Sequence, residues 1–269
     1  MSRRQFTAAT VIVSGAGGGL GRAIALRFAA AGANVVLLDL DAITLGPTQA
    51  QVEALGVQCL ARACDVADAT SCAQAVKAAA DRFGGIDVLV NNAGISHRSA
   101  FSGTDPVVLR RVMEVNFFGA VNLTHSALPH LLRSRGAIIA VSSVAGFSPL
   151  IARTGYSASK HAMHGFFESL RTEVTLQGVD VTMACPSFIA TDIDRNALGA
   201  DGQPARHAQL VFGRRLTPHF VADRIFRGAE RRQHLLLIGK TARQAWWMSR
   251  LAPSWYERVM ARRLRGEMQ

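Results

Sequence analysis

A glycine cluster stands between an apolar strand-like run and a helical pattern near the start of the chain. Val11–Ser14 is short, apolar and β-rich, SGAGGGLG follows at Ser14–Gly21, and Arg22–Ala31 carries a helical apolar pattern. Glycine lets backbone amides approach a pyrophosphate closely, and a helix N-terminus favours its negative charge. The spacing is G-x-x-x-G-x-G, and in this setting it predicts a dinucleotide-phosphate loop.

Short apolar runs alternate with helical patterns along the rest of the chain. Such runs are typical of strands buried on both faces of a sheet. We expect an α/β fold, a single-domain Rossmann-like doubly wound parallel sheet with helices on both faces. The predicted strands are Val11–Ser14, Val35–Leu38, Val88–Val90, Ala137–Ser142, Val179–Ala184 and Leu235–Ile238, and the later helices are Asp68–Phe83, Pro106–Leu132 and Ser157–Leu176.

The composition argues against several other classes. The chain has 269 residues, nearly half of them apolar, which is enough for one sizeable core. It has no apolar run of 18 residues, and its apolar start leads into the glycine loop, so neither a membrane span nor a signal peptide is predicted. The four cysteines form no C-x-x-C pair, and His161 and His164 have no third ligand at a telling spacing. We expect free thiols, a cytoplasmic location and no metal.

Asp39 ends the second predicted strand, 18 residues after Gly21. A carboxylate there accepts hydrogen bonds from the adenosine ribose hydroxyls and repels a 2′-phosphate. The next residue is Leu40, and Gly18 occupies the loop position where a cation would sit. The pattern favours NAD over NADP, with a plain loop carboxylate as the alternative.

A set of ordered motifs resembles the classical short-chain dehydrogenase/reductase family from about residue 8 to about residue 240. The matching pieces are SGAGGGLG at Ser14–Gly21, Asp65-Val66, NNAG at Asn91–Gly94, Asn116 in VNFFG, VSSVAG at Val141–Gly146, YSASK at Tyr156–Lys160, and the segment Pro186–Thr191. YSASK with a serine 13 residues upstream is a specific signature. The resemblance implies an NAD(P)-dependent alcohol dehydrogenase or carbonyl reductase.

Tyr156 and Lys160 are four residues apart, so they share one face of a helix. A nearby ammonium favours the phenolate and lowers the tyrosine pKa, and Tyr156 can then exchange a proton with an alcohol or ketone while hydride moves. Ser143 would hold the substrate oxygen. The resemblance gives Lys160 a second role on the nicotinamide ribose and gives Asn116 a water that links Lys160 to solvent. As alternatives, Ser142 could replace Ser143, and Asn116 could simply bond the backbone.

The resemblance also implies a set of cofactor contacts. They are Ser14, Gly15, Gly19, Leu20, Gly21, Asp39, Asp65, Val66, Asn92, Ala93, Gly94, Tyr156, Lys160, Pro186, Ile189 and Thr191. Two positions depart from the family pattern: Ser14 replaces a threonine, and Ser187 replaces the glycine after the proline. The second departure puts the local loop geometry in doubt.

The leading interpretation is an NAD-linked oxidoreductase acting on a secondary alcohol or ketone. The alternatives are an NADP-dependent carbonyl reductase and a catalytically silent, cofactor-binding regulatory protein. The expected pocket segments carry mostly apolar residues, Ile95, Phe147, Leu150, Ile151, Phe188 and Ile189. A bulky apolar substrate is therefore expected, of steroid, retinoid, fatty or aromatic type.

The patterns place two boundaries along the chain. Residues 1–240 are expected to form the Rossmann-type dinucleotide-binding and catalytic domain, and residues 241–269 a basic, tryptophan-rich extension. Residues 187–213 lack periodicity after a strand end and are expected to form a mobile substrate loop, with a surface insertion without function as the alternative.

Basic charge is concentrated in the last quarter of the chain. Residues 205–269 hold 14 Lys/Arg and 4 Asp/Glu, and residues 241–269 contain all three tryptophans. The pattern suits packing on a subunit or on the pocket, peripheral membrane contact, or a solvated tail. We favour packing, because Pro253 divides the amphipathic stripe. No nucleic-acid-binding module accompanies the charge.

The two long helical patterns, Pro106–Leu132 and Ser157–Leu176, have more apolar surface than one sheet face can cover. They resemble the helices through which this family forms dimers and tetramers. A homodimer or homotetramer with a two-fold contact is expected.

Overall fold

The computed structural model describes residues 3–205, 210 and 213–268. Seven strands form one parallel sheet in the order β3-β2-β1-β4-β5-β6-β7. Their bounds are β1 Thr10–Ser14, β2 Asn34–Asp39, β3 Cys59–Ala63, β4 Val88–Asn91, β5 Ala137–Val141, β6 Asp180–Pro186 and β7 Leu235–Ile238. The predicted fold class is confirmed.

Helices cover both faces of this sheet. They are α1 Gly19–Ala29, α2 Ala42–Glu53, α3 Ala69–Phe83, α4 Pro106–Met113, α5 Gly119–Ser134, α6 Thr154–Val174, α7 Pro218–Glu230, α8 Lys240–Leu251 and α9 Pro253–Arg263. Strand residues alternate between two cores: Val11 and Val13 pack with α1 and α7, whereas Ile12 packs with α3, α5 and α6. The strands are apolar on both sides because both sides are covered.

The sheet order reverses at β1, which lies between β2 and β4. In open α/β sheets the crevice outside the carboxyl ends of the strands at such a point binds ligands. The glycine loop follows β1, and Asn92 follows β4, so both lie at this crevice.

The single long helix predicted over Pro106–Leu132 is wrong in detail. A π-helical turn at Glu114–Phe118 separates α4 from α5. A π-turn inserts an extra residue into the helix and rotates the residues after it about the helix axis, and such turns are frequent at functional sites.

The sequence did not predict α2, because Gly46 and Pro47 disfavour a helix interior. In the structure the Asp41 side chain caps α2 by accepting from the Ile43 amide at 2.8 Å. Leu45 and Val52 are buried in the core that contains Val11 and Val13, and this burial stabilises α2.

Candidate active site

The glycine loop lies against the turn that follows β4. Gly15 has a φ of +66°, and a Cβ there would lie 3.0 Å from the Ala93 Cα, so only glycine fits. Gly18 is the N-cap residue of α1, and as a glycine it has no side chain to bond the first amides of the helix. The first turn of α1 contains no acidic residue. These features leave room and backbone donors for an anion.

Ser14 joins β1 to the NNAG turn. Its hydroxyl donates to the Val90 carbonyl at 3.2 Å and accepts from the amides of Asn92 and Ala93 at 3.0 Å each. The Asn92 side chain donates back to the Ser14 carbonyl at 2.9 Å. These contacts give the Ser14 hydroxyl a structural task, and its direct cofactor contact stays a prediction.

Asp39 lies beside the loop, as its position at the end of β2 predicts. Its Oδ2 accepts from the Gly17 amide at 2.8 Å, and its Oδ1 accepts from the Leu40 amide at 2.8 Å. The sequence reasoning missed Arg22, whose Nη2 donates to the Gly17 carbonyl at 2.6 Å. The Arg22 guanidinium, which comes from the first turn of α1, therefore lies close to this loop.

Asp65 and Val66 form the turn after β3. Asp65 is exposed and its Oδ1 accepts from the Ala67 amide at 2.9 Å, while Val66 is buried. Asn122 on α5 donates to the Val66 carbonyl at 3.0 Å and fixes the turn. Asn122 was not recognised from the sequence, because nothing local links it to residue 66.

The structure brings Ser143, Tyr156 and Lys160 together. Ser143 begins the turn after β5, and its Oγ accepts from the Ala145 amide at 3.2 Å. The Ser143 hydroxyl is near enough to the Tyr156 phenol to act on its pKa. Lys160 lies one turn further along α6, with its Nζ 5.8 Å from the centre of the Tyr156 ring. Lys160 Nζ donates to the Val141 carbonyl at 2.9 Å.

The electrostatics of this group differ from the sequence expectation. Burial raises the pKa of Tyr156, and the Ser143 hydrogen bond and the Arg153 charge oppose it. Burial lowers the pKa of Lys160 to about 8. We expected Lys160 to lower the tyrosine pKa, but in this structure its ammonium is directed to the Val141 carbonyl.

Asn116 lies in the π-turn between α4 and α5 and is fully buried. Its Oδ1 accepts from the Ile95 amide at 2.8 Å, and its Nδ2 donates to the Ile95 carbonyl and to Ser159 Oγ at 2.9 Å each. A Cβ at Gly94 would lie 3.1 Å from Asn116 Oδ1 and 3.7 Å from Lys160 Nζ. Asn116 thus joins the backbone of Ile95, directly after the NNAG turn, to the Ser159 hydroxyl on α6, and its role in holding a water stays a prediction.

His97 supports the start of α6. Its Nε2 accepts from the Gly155 amide at 2.8 Å, directly before Tyr156. Burial, helped by the Arg153 charge, lowers the pKa of His97 to about 4, so the ring is a neutral acceptor. In the sequence, neither the spacing of His97 nor its neighbours indicated this role.

The segment from Pro186 to Thr191 passes over the glycine loop. The Ser187 amide donates to the Ile238 carbonyl at 3.1 Å, and Thr191 lies against Gly19. Ser187 has no positive φ, so the departure from glycine does not strain the backbone. Ile189 packs on the core that contains Val11 and Val13, and its cofactor contact stays a prediction.

The predicted loop 187–213 contains no helix or strand in the part that the structure describes. It pairs with neighbouring segments through isolated bridges, His97 with Leu198 and Ile189 with Leu216. Residues 206–209 and 211–212 of the predicted loop lie outside the described residues, and its mobility stays a prediction.

The C-terminal extension packs on the segment between Ser143 and Tyr156. The Tyr256 hydroxyl donates to Ser148 Oγ at 3.3 Å, and the Trp246 ring lies 4.9 Å from the Phe147 ring. Other residues of the extension face outward: Trp247 is 61% exposed and Trp255 is 50% exposed. Each of the two helices that Pro253 separates therefore has some side chains packed on the protein and others exposed to solvent.

The surroundings of the cysteines and of His164 are as follows. The four cysteines are free, and His164 contacts Glu168 at 3.1 Å and Cys185 at 3.5 Å. Among the residues that the structure describes, no three His, Cys, Asp or Glu side chains converge as a metal site requires. No helix in the described ranges is both long and apolar enough to cross a bilayer.

Comparisons with known proteins agree with this geometry. The family model for short chain dehydrogenase matches residues 9–201. Dehydrogenase/reductase SDR family member 7B of Bos taurus is 38% identical over 268 residues, which cover 96% of this chain and 82% of the bovine protein. Dehydrogenase/reductase SDR family protein 7-like of Anopheles gambiae is 34% identical over 267 residues, with coverages of 97% and 84%.

A solved structure is similar over nearly the whole chain. The short chain dehydrogenase/reductase of Burkholderia phymatum, crystallised in complex with NAD, superposes with a TM-score of 0.84 at 25% identity and covers 97% of both chains. The present chain belongs to the short-chain dehydrogenase/reductase family of oxidoreductases.

Proposed function

We propose that the protein is an NAD-linked oxidoreductase that interconverts a secondary alcohol and a ketone, with Tyr156 as the acid–base. The observation that carries this proposal is that Lys160, one helical turn after Tyr156, bonds the Val141 carbonyl two residues before Ser143, which brings all three side chains to the end of β5. A hydroxyl, a phenol and an ammonium in this order suit proton transfer at a carbonyl oxygen.

The residues around the crevice fit a nicotinamide dinucleotide. The free amides at the start of α1 would bind the pyrophosphate, Asp39 the adenosine ribose, and Val66 the adenine. The other proposed contacts, from Asn92 through Gly94 and from Pro186 to Thr191, border the same crevice. When bound, the cofactor supplies the hydride donor or acceptor.

The protein side of the chemistry is a proton transfer in a buried site. Ser143 holds the substrate oxygen, and Tyr156 donates a proton to a ketone or removes one from an alcohol. Lys160, whose pKa is about 8, exchanges its own proton readily near neutral pH and can restore the proton on Tyr156. Asn116 keeps the NNAG turn and α6 in place around them.

Leu150, Ile151 and Phe188, three of the residues expected in the substrate pocket, line one small cavity together with Arg153. Their side chains favour an apolar substrate body, in line with a fatty, steroid, retinoid or aromatic compound. A small-molecule apolar alcohol or ketone is the proposed reaction partner.

NADP is the alternative cofactor, and Arg22 is the observation that favours it. Its guanidinium lies against Gly17, the residue whose amide Asp39 holds. Asp39 at the end of β2, whose Oδ2 accepts from the Gly17 amide, favours NAD because its charge would repel a 2′-phosphate. The further alternative, a catalytically silent cofactor-binding regulatory protein, is disfavoured because Asn116, Ser143, Tyr156 and Lys160 are all present.

The deciding experiment is a panel of alcohols and ketones assayed by reduced-cofactor absorbance with both cofactors, on wild-type protein and Tyr156→Phe. We expect turnover by the wild type, and less than a tenth of it in Tyr156→Phe with cofactor binding nearly unchanged. Retention of more than a tenth of the rate would refute the acid–base role. Loss of cofactor binding in the variant would instead point to a damaged fold.

Two further properties are proposed for the whole molecule. A homodimer or homotetramer through α5 and α6 is supported by Phe118, which is 44% exposed and stacks on Phe117 beside α6. A cytoplasmic location with peripheral contact to anionic membranes through α8 and α9 is supported by their exposed tryptophans among arginines. No role in nucleic-acid binding is proposed.

A further inference from the structure

Two arginines are buried beside the proposed active site. Arg98 is 3% exposed and Arg153 is 5% exposed, and Arg153 lies three residues before Tyr156. Arg98 Nη2 donates to the Asp194 carbonyl at 3.3 Å, but its Nε and Nη1 are buried and bond to no described atom. Burying a guanidinium costs free energy unless its N–H groups are paired. The Asp194 carboxylate supplies a nearby opposite charge, and Nε and Nη1 of Arg98 remain available to a further acceptor.

Glu267, near the end of the described chain, brings a carboxylate to these arginines. Its Oε2 lies 3.1 Å from Arg153 Nη1, and both side chains are buried. The Leu210 amide donates to the other carboxylate oxygen, Oε1. Burial lowers the pKa of Arg153. The charges of Glu267 and Asp194 oppose this effect and the Arg98 charge adds to it, so the four groups form one electrostatic cluster.

This cluster borders a small cavity near the start of α6. Arg153 and Glu267 line a cavity together with apolar residues, namely Leu150, Ile151, Phe188, Leu210 and Leu264. The cavity has a volume of about 10 Å³, room for about one water, because Leu264 and Glu267 fill it. Arg153 is the N-cap of α6, the helix that contains Tyr156, and its charge acts to lower the pKa of the Tyr156 phenol.

We propose that Arg98 and Arg153 form a subsite for a substrate carboxylate, and that Glu267 occupies this subsite when no substrate is bound. The inference rests on the proposed function and narrows its substrate class to apolar alcohols or ketones that carry a carboxylate. Guanidinium forks match carboxylates, and a substrate carboxylate would use the N–H groups of Arg98 that Glu267 does not. The apolar residues around the cavity would contact the rest of the substrate.

Binding is tested first with ligands that cannot react. Decanoate and its neutral analogue decanamide are titrated calorimetrically into the full-length protein, with and without NAD. We expect decanoate to bind at least tenfold more tightly than decanamide, and Arg98→Gln to abolish most of that difference. Arg82→Gln, an exposed arginine near the end of α3, is the matched control and keeps the wild-type preference.

Stability and the tail provide the second test. Arg98→Gln is expected to leave the melting temperature unchanged or raise it. The substitution removes two buried nitrogens, Nε and Nη1, that make no hydrogen bond, so no bond is lost at either. Glu267→Gln should bind decanoate several-fold more tightly, since a competing carboxylate is removed. The double variant Arg153→Gln with Glu267→Gln removes both members of one ion pair, so neither charge is left without the other, and it should lose the preference for decanoate.

Equal binding of the two ligands by wild type would overturn the subsite. Weaker decanoate binding in Glu267→Gln would overturn Glu267 as its occupant. Turnover of 4-acetylbenzoate and of its methyl ester separates this inference from the proposed function. A carboxylate preference in binding without turnover of either ketone refutes the oxidoreductase assignment alone, whereas turnover of both without any preference refutes the subsite alone.

Discussion

The backbone amide of Gly155 donates a hydrogen bond to His97 Nε2 at 2.8 Å. Gly155 is in the first turn of α6, and Arg153 at the N-cap makes no side-chain cap, so His97 satisfies an amide that the helix cannot. The bond fixes the residue directly before Tyr156. The position of the proposed acid–base therefore depends on a neutral imidazole from the loop after β4.

Acid should weaken this arrangement. The pKa of His97 is about 4 in the fold against 6.5 in the unfolded chain, because burial disfavours its charged form. Between these values the unfolded chain binds the extra proton, so stability falls as pH drops from 6.5 to 4, by about 3 kcal/mol. Urea unfolding of wild type and His97→Gln across this range measures the free energy of unfolding. We expect it to depend less steeply on pH in the variant than in wild type. The exposed His219→Gln should match wild type, and an identical slope in His97→Gln would refute the assignment.

The buried ammonium of Lys160 should lower the free energy of unfolding. Its pKa falls from 10.5 to about 8, a cost of about 3 kcal/mol that is complete below pH 8 and disappears as pH rises through 10.5. Lys160→Met removes this cost and also a hydrogen bond worth about 1 kcal/mol, so we expect a net gain of about 2 kcal/mol at pH 7 with turnover lost. Urea unfolding at pH 7 and pH 10 checks the trend, with the exposed Lys77→Met as control. A variant that is destabilised at pH 7 would contradict the buried-charge argument.

Asp39 should decide cofactor preference. We expect NADH to bind at least tenfold more tightly than NADPH, about 1.4 kcal/mol of discrimination. Asp39→Ala combined with Leu40→Arg should shift the preference towards NADPH, because a repelling charge is exchanged for an attracting one. Fluorescence titration of both reduced cofactors measures the ratio, and Leu40→Arg alone separates the two effects. Tight NADPH binding by wild type would show that Arg22 outweighs Asp39.

The local part of the site was predictable from the sequence and the long-range part was not. Tyr156 and Lys160 are one helical turn apart, and the glycine loop follows its own strand, so short spacings carry their geometry. His97 meets Gly155 across 58 residues, and Glu267 reaches Arg153 from near the other end of the chain. Only the packing of the sheet brings those pairs together. The π-turn at Asn116 was missed for a similar reason, since a single inserted residue barely alters a helical apolar pattern.

Gly165 offers a clean test of oligomer formation through α6. It is exposed, and a Cβ there would meet no atom within 4 Å, so Gly165→Arg is sterically harmless to the single chain. If α6 forms a two-fold contact, two added charges face each other and the assembly should dissociate. Gly46→Arg on α2, equally exposed and unobstructed, is the matched control and should keep the wild-type mass. Sedimentation velocity at micromolar concentration distinguishes the cases, and a monomeric wild type would contradict the proposed oligomer.

The outward face of the C-terminal extension is the remaining candidate for a contact surface. Trp247 and Leu251 are four residues apart on α8, so they share a helix face, and they are 61% and 77% exposed. Trp255 on α9 is 50% exposed. Deleting residues 241–269 is a poor test, because Tyr256 and Leu264 are buried against the catalytic domain and their loss would expose apolar surface.

Substituting the exposed residues separates membrane contact from packing. Trp247→Ser with Trp255→Ser should keep the melting temperature and reduce co-sedimentation with anionic vesicles several-fold, since both rings are half or more in solvent. Leu176→Ser, which removes an exposed apolar side chain elsewhere, should bind vesicles like wild type. Binding by the intact protein should weaken with salt without vanishing, because apolar burial and charge attraction both contribute and only the second is screened. Vesicle binding that is absent in wild type, or unchanged in the double variant, would leave packing on the protein as the sole function of the extension.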